Sequence, residues 1–286
     1  MKVLLVGATG FLGAPLSERL ILDGHYVWKL NSQSFQGKGF FDFQGVSTLM
    51  SRENFDCVIS TAWETERDTY RHSENNLRFS EATVHLAYQS SLCGVKSFVA
   101  LGSAAEYGAN NQSCDSELSD LNPQDNYSFA KVETFNRIKS LFDLSSTNFL
   151  WARIFQPYGI NQDPVRLLPA LIRAHSSGAP LTLNQPFVGC DWISKTDIVD
   201  ALIFGIYKGV NGVVDIGTGR LTSNQELAFI VEKCIKPDLS TEFPEISASI
   251  SGLSVAQNSR LFREGWSPKI ALEDGILDLV RSGRAT

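Results

Sequence analysis

Apolar and polar positions follow one another along this chain in blocks that predict strands and helices by turns. Lys2–Val6 is a short apolar run, rich in β-branched residues and bounded by glycine, the pattern of a strand buried on both faces. Residues 11–22 carry the spacing of an amphipathic helix and stop at Asp23-Gly24. Residues 25–30, 39–43, 55–60, 96–101 and 147–154 read as further strands, and residues 74–93 and 126–142 as long helices. Strands alternating with helices imply right-handed parallel crossovers. The expected fold class is therefore α/β, with a doubly wound parallel sheet.

Beyond Ile154 the alternation loosens. Residues 164–176 and 196–208 look helical, and residues 180–183 and 212–216 are strand-like. Ser223 and Glu226 offer a capping box for a helix to Ile235, residues 237–253 are rich in Ser and Pro and read as loop, and a last helix is expected over 271–280. The organisation this predicts is a sheet domain over 1–160, joined by 190–216. A smaller lobe over 161–286 interleaves with it, over the C-terminal edge of the sheet, where such folds bind ligands.

Gly7, Gly10 and Gly13 lie between the first strand and the first helix. A Gly-rich turn there lets the backbone approach a phosphate, and the helix N-terminus presents free N–H groups and the positive end of its dipole. The first domain is thus expected to bind a dinucleotide. Net charge is −6 and no basic stripe occurs, which argues against a nucleic-acid partner; an anionic ligand has to be held by local groups. No apolar run reaches the length of a membrane span. Residues 3–16 have the composition of a signal peptide, but three glycines interrupt them and Ser17-Glu18-Arg19 continues the helical face, so strand, turn and helix explain them better. The five cysteines are scattered, odd in number and without metal-ligand spacing, which fits a cytoplasmic location, and the four histidines form no cluster. No metal site is expected.

Tyr127 and Lys131 stand four apart on one face of a predicted helix. A free tyrosine titrates near 10, too high for ready proton exchange at neutral pH, and an ammonium one turn away favours the phenolate. Ser103 falls at the end of the 96–101 strand, on the same sheet edge as the glycine turn, where it can donate a hydrogen bond to a substrate oxygen.

With these residues the chain resembles the extended branch of the short-chain dehydrogenase/reductases, the NAD-dependent epimerase/dehydratase family. The matching features are the glycine triplet, Ser103 with Glu106-Tyr107-Gly108, and Tyr127 with Lys131. Asn75-Asn76, Arg153-Ile-Phe-Gln-Pro-Tyr-Gly159, Asp191-Trp-Ile193 and Gly265-Trp-Ser-Pro268 match as well, in order along nearly the whole chain. Within that branch it looks most like the nucleotide-sugar 4-ketoreductases, such as dTDP-4-dehydro-6-deoxyglucose reductases, on Thr61-Ala62-Trp63, Ser73-Glu74-Asn75-Asn76-Leu77 and Asp163-Pro-Val-Arg166-Leu-Leu-Pro169.

The resemblance implies a Rossmann-like sheet domain with a smaller C-terminal substrate-binding lobe, and reduction of the 4-keto group of a nucleotide-linked 4-keto-6-deoxyhexose. Tyr127 would protonate the ketone oxygen as hydride arrives from the nicotinamide, and Ser103 would polarise the same carbonyl. Lys131 would lower the Tyr127 pKa and hold the nicotinamide ribose, and Asn75 or Asn76 would support the proton path. Cofactor contacts are implied for Gly7, Thr9, Gly10, Phe11, Leu12 and Gly13, and for Asn31 and Ser32 after the second strand. Asp42 and Phe43, at the end of the third strand, would meet adenine; Thr61, Ala62, Tyr127, Lys131 and Phe155 complete the set. Substrate contacts are implied for Trp63, Glu64, Ser103, Gln156, Arg166, Trp192 and Arg260. Homodimer pairing through the 74–93 and 126–142 helices is a further implication.

Three departures from the family pattern bear on function. An acid that would bind a ribose 2′-hydroxyl is missing after the second strand; neutral Asn31 and Ser32 permit a 2′-phosphate without demanding it, so the cofactor is NADP or NAD, with NADP slightly favoured. Ala104-Ala105 stand where related 4,6-dehydratases carry Asp-Glu, which removes the acid and base for water elimination. Cys190 replaces an arginine that contacts the substrate diphosphate, and a second family arginine has no counterpart in 247–253; Arg166, Arg173, Arg220 or Arg260 are candidates to compensate. The competing expectations are a 4-epimerase with tightly bound NAD and a dinucleotide-binding sensor or scaffold without catalysis.

Overall fold

The computed structural model describes residues 1–31, 39–66, 69–108, 113–180, 182–238, 251–252, 255–257 and 259–283. In chain order the elements are β1 (Lys2–Val6), α1 (Gly13–Leu22), β2 (Tyr26–Leu30), α2 (Phe43–Arg52), β3 (Cys57–Ser60), α3 (Asn75–Leu92), β4 (Ser97–Ser103), β5 (Ser113–Cys114), α4 (Asn126–Phe142), β6 (Asn148–Ile154), β7 (Gln156–Tyr158), α5 (Leu167–Ser177), β8 (Val188–Ser194), α6 (Lys195–Lys208), β9 (Gly212–Ile216), β10 (Leu221–Ser223), α7 (Asn224–Ile235), β11 (Ser251–Gly252), β12 (Val255–Ala256), α8 (Ser259–Glu264) and α9 (Leu272–Ser282). A single turn of 3-10 helix, Ala104–Tyr107, follows β4.

The chain divides into two compact units. The first comprises Met1–Gly108, Asp120–Arg153 and Val199–Val214; the second comprises Ala109–Ser119, Ile154–Ile198 and Asp215–Thr286. Of the segment expected to return over 190–216, residues 199–214 lie in the first unit.

A six-stranded sheet in the order β2-β1-β3-β4-β6-β9 frames the first unit. β1 runs parallel to β2 and to β3, with Leu4 opposite Trp28 on one side and Val58 on the other, and β3 runs parallel to β4. Because β2 and β3 flank β1, the winding reverses there, and the C-terminal ends of β1 and β3 form the switch point at which α/β sheets bind ligands. The fully buried Leu4, Val58, Phe98 and Trp151 of the strands pack with Met50 and Leu86 of α2 and α3 in one core. α1 forms because Leu16 and Leu20, one turn apart, bury against the sheet, and it stops where Gly24 takes φ +82°. The α4 bounds are those expected from the sequence. Asp125 explains where it starts, accepting from Ser128 N while the Ser128 hydroxyl meets Asp125 N.

Three expectations fail. Residues 39–43 are not a strand: Asp42 caps α2 by accepting from Gly45 N at 2.9 Å, and Phe40, whose aromatic side chain reads as a strand signal, is instead a buried core residue ahead of the helix. Among the described residues of 180–183 there is no strand; the strand lies later, at β8, whose Gly189 and Asp191 interrupt its apolar pattern. Most of the loop expected over 237–253 lies outside the described residues, but Ser251–Gly252 pairs with β8.

In the second unit β8 runs parallel to β7 and β11 and antiparallel to β10. Its buried Asp191 accepts from Thr218 N, Thr218 Oγ1, Gly219 N and Ala256 N at 2.6–3.0 Å, so the carboxylate pins the 218–219 loop and β12 to the strand. Trp192 and Tyr158 pack with Leu168, Leu227 and Ile276 in a separate core.

Candidate active site

The glycine turn leaves the end of β1. Gly7 adopts φ +83°, and a Cβ there would sit 2.7 Å from Thr61 Oγ1 and 2.8 Å from Ala62 N; a Cβ on Gly13 would sit 2.0 Å from Gly7 O. Only glycine permits this approach of the turn, the start of α1 and the end of β3. Thr61 holds the arrangement by donating its hydroxyl to Val6 O at 2.9 Å. α1 opens with Leu12 at its cap, no side-chain capping bond and no acidic residue in the first turn. The positive end of its dipole is thus unopposed by its own sequence, as an anion site requires. Thr9 and Gly10 are exposed, Phe11 and Leu12 half-buried.

Asn31 continues β2 and its backbone oxygen accepts from Phe40 N, while its side-chain Oδ1 is buried without a partner, an acceptor suited to a ribose hydroxyl. Ser32 lies outside the described residues. Asp42 and Phe43 stand at the start of α2, with Asp42 Oδ1 engaged in the cap and Phe43 stacked on His85 at 4.6 Å between ring centroids.

The first unit brings Ser103, Tyr127 and Lys131 together. Ser103 closes β4, and its hydroxyl oxygen accepts from Ala105 N at 3.2 Å, capping the short turn behind it. Burial pushes the Tyr127 phenol well above its ordinary range; the nearby Ser103 hydroxyl opposes that, and Tyr70 and Glu106 add to it. The net direction is opposite to the depression expected from Lys131, which is not among the main groups acting on the phenol. Lys131 is itself buried, donates to Leu101 O at 2.7 Å, and lies 5.7 Å from the centre of the Tyr127 ring. Burial lowers its pKa, opposed by the Glu106 carboxylate.

Glu106, fully buried, is the hub that the sequence motif does not reveal. Its carboxylate accepts from Ser103 N at 2.8 Å, Trp151 Nε1 at 3.1 Å and Arg153 Nε at 2.7 Å, and Arg153 also donates to the Tyr107 hydroxyl at 2.9 Å. This network fixes the backbone from which the Ser103 hydroxyl projects. Asn76, expected on a proton path, is 1% exposed and fully used: its amide nitrogen donates to Tyr70 O and Ser73 O, and its oxygen accepts from Trp63 Nε1. Glu64 accepts from Asn75 at 3.4 Å through one oxygen, and its other oxygen is buried without a partner.

The remaining nominated residues belong to the second unit. Phe155 is buried, with its N–H donating to Ile216 O, and Gln156 pairs in register with Trp192. Trp192 is a core residue rather than an open stacking face. Arg166 precedes α5. Of the other three candidate compensating cations, Arg173 donates to Pro164 O, Arg220 pairs with Glu226 and Glu273, and Arg260 lies 3.7 Å from Glu117.

A glycine turn seated at the switch point of a doubly wound sheet, with an uncapped helix behind it, makes this a protein of the Rossmann-like α/β class. Residues 3–217 match the model of the NAD dependent epimerase/dehydratase family, and the chain belongs to that family. It is 27% identical to a UDP-glucose 4-epimerase of Mycolicibacterium smegmatis, over 98% of this chain and 97% of that protein. It is 22% identical to a dTDP-4-dehydro-6-deoxyglucose reductase of Escherichia coli, over 82% of this chain and 77% of that one. Among solved structures, a UDP-glucose 4-epimerase of Thermotoga maritima with UDP-glucose superposes with a TM-score of 0.84 over 99% of both chains at 21% identity, a likeness of fold.

Proposed function

We propose that the protein reduces the 4-keto group of a nucleotide-linked 4-keto-6-deoxyhexose, with NADH or NADPH as reductant. What supports this reading is the meeting of Ser103 at the end of β4 with Tyr127 and Lys131, one helical turn apart on α4, at the sheet edge that carries the glycine turn. A protonated phenol is a general acid, and ketone reduction needs one. A nicotinamide dinucleotide held along Gly7, Gly10, Gly13 and the start of α1 would supply the hydride. Tyr127 donates its proton to the developing alkoxide, and the Ser103 hydroxyl donates a hydrogen bond to the same oxygen. Lys131, whose proton burial loosens, restores the phenol from one helical turn away.

A second reading, a nucleotide-sugar 4-epimerase, is favoured by the likeness to the M. smegmatis enzyme across the whole chain. An epimerase begins by accepting a proton from a sugar hydroxyl, and would draw on the phenolate form of the same Tyr127. The test is incubation with UDP- and dTDP-linked 4-keto-6-deoxyglucose and each reduced cofactor, with products identified by mass and NMR. Reduced nicotinamide consumed mole for mole with 6-deoxyhexose formed supports the reductase. Interconversion of 4-epimers without net consumption identifies an epimerase. Dinucleotide binding with no turnover of any sugar nucleotide leaves a sensor or scaffold.

A further inference from the structure

Lys131 has a neighbour that neither the reduction nor the glycine turn accounts for. The Trp63 ring lies with its face over the Lys131 ammonium, 3.6 Å from centroid to Nζ, far closer than the Tyr127 ring at 5.7 Å or the Trp151 ring at 6.0 Å. The indole is held in that pose from three sides. Its Nε1–H donates to Asn76 Oδ1 at 2.8 Å, Phe79 stacks on it at 5.9 Å, and Tyr127 meets it edge to face at 6.3 Å. Asn76 is in turn immobilised by bonds to Tyr70 O and Ser73 O.

We propose that Trp63 is a positioning residue for Lys131: Asn76 fixes the edge of the indole so that its face covers the ammonium and stands in for water there. The ring's negative face then stabilises the charge that burial disfavours, and the side chain is confined between the indole and the Leu101 carbonyl. Of the titratable and charged groups around Lys131, Tyr127 lies on its own helix, and Glu106 acts from the turn after β4 with Arg153 bonded to it. Trp63 stands beside this set as a group that does not titrate. The inference concerns the pose and charge of Lys131, the working amine of the proposed reaction, and its test is a titration that does not depend on turnover.

The experiment follows the titration of Lys131 by isotope-edited NMR of the lysine side chains in the full chain, with Lys131→Met assigning the signal. Trp63→Leu keeps a bulky apolar cover and removes the ring face, and is expected to lower the Lys131 midpoint by about one unit. Trp63→Phe keeps a face and loses the bond to Asn76, and is expected to lower it by less than half as much. An unchanged or raised midpoint in Trp63→Leu overturns the proposal, since the ring then acts only as a cover. Should Trp63→Leu fail to fold, uniform replacement of tryptophan by polyfluorinated tryptophan weakens the ring face at nearly constant shape. It must lower the midpoint in the same direction, and no movement overturns the proposal. Because the readout is a titration, a protein that reduces no sugar nucleotide but shows the shift refutes the reductase reading and upholds this one.

Discussion

Glu106→Gln removes one charge from a pair whose side chains are 0% and 3% exposed. The carboxylate accepts from three N–H donors, those of Ser103, Trp151 and Arg153. A glutamine offers one oxygen and turns its amide nitrogen toward a donor. Arg153 is left buried with the Tyr107 hydroxyl as its partner from this network. Breaking a buried pair by removing one member costs about 3–5 kcal/mol, against a total stability of about 5–15 kcal/mol for a folded domain. With a urea m-value of about 3 kcal/mol/M, the unfolding midpoint falls by about 1 M or more. Urea unfolding followed by tryptophan fluorescence measures it, with Arg137→Met as reference. That substitution breaks the solvent-exposed pair with Glu81, where a loss below about 1 kcal/mol is expected. If Glu106→Gln costs no more than Arg137→Met at unchanged m-value, the network is not what holds Ser103, and the account of the site's rigidity is wrong.

Tyr127→Phe is expected to cut turnover at least about a hundredfold while dinucleotide binding, measured by calorimetry, is retained; a loss of less than tenfold would show another acid. Gly13→Ala places a methyl group 2.0 Å from Gly7 O, so the turn must open; dinucleotide affinity and thermal midpoint both fall, and an unchanged affinity would dissociate the turn from the cofactor. Asn31→Asp sets a carboxylate where a 2′-phosphate would approach, and the ratio of the two dissociation constants moves at least about tenfold toward NADH. Lys131 has a folded pKa below its unfolded value of 10.5, so between those two values the unfolded chain binds more protons and rising pH favours folding. Wild type should therefore gain stability over Lys131→Met from neutral pH toward 10.5 in paired denaturation curves, and a widening in the opposite sense would exclude a depressed amine.

Elements whose signals are local were legible in the sequence. α4 has its expected bounds because Asp125 and Ser128 cap it by short-range bonds, and β1 and the glycine turn are written in consecutive residues. Residues 39–43 read as a strand because Phe40 and Phe41 stand side by side, and Asp42 shows its capping role only once the chain turns into α2. β8 was missed because Gly189 and Asp191 break its apolar run, and Asp191 is tolerated in the interior only through donors near residues 218 and 256. In the site the same division holds. Ser103, Tyr127 and Lys131 can be nominated from spacing. The Glu106 hub depends on Trp151 and Arg153, more than forty residues away, and the meeting of Trp63, Asn76 and Lys131 depends on three separate segments.

The start of α4 is fastened to the stretch ahead of α3. Arg71 pairs with Asp125, Tyr127 N donates to Arg71 O at 3.1 Å, and the Asn126 amide donates to His72 O at 3.1 Å. The Tyr127 side chain is therefore carried on a mount whose bolts lie in an earlier part of the chain. Residues 69–73 could be exchanged between homologues as a cassette, re-aiming the phenol by fractions of an ångström without touching it.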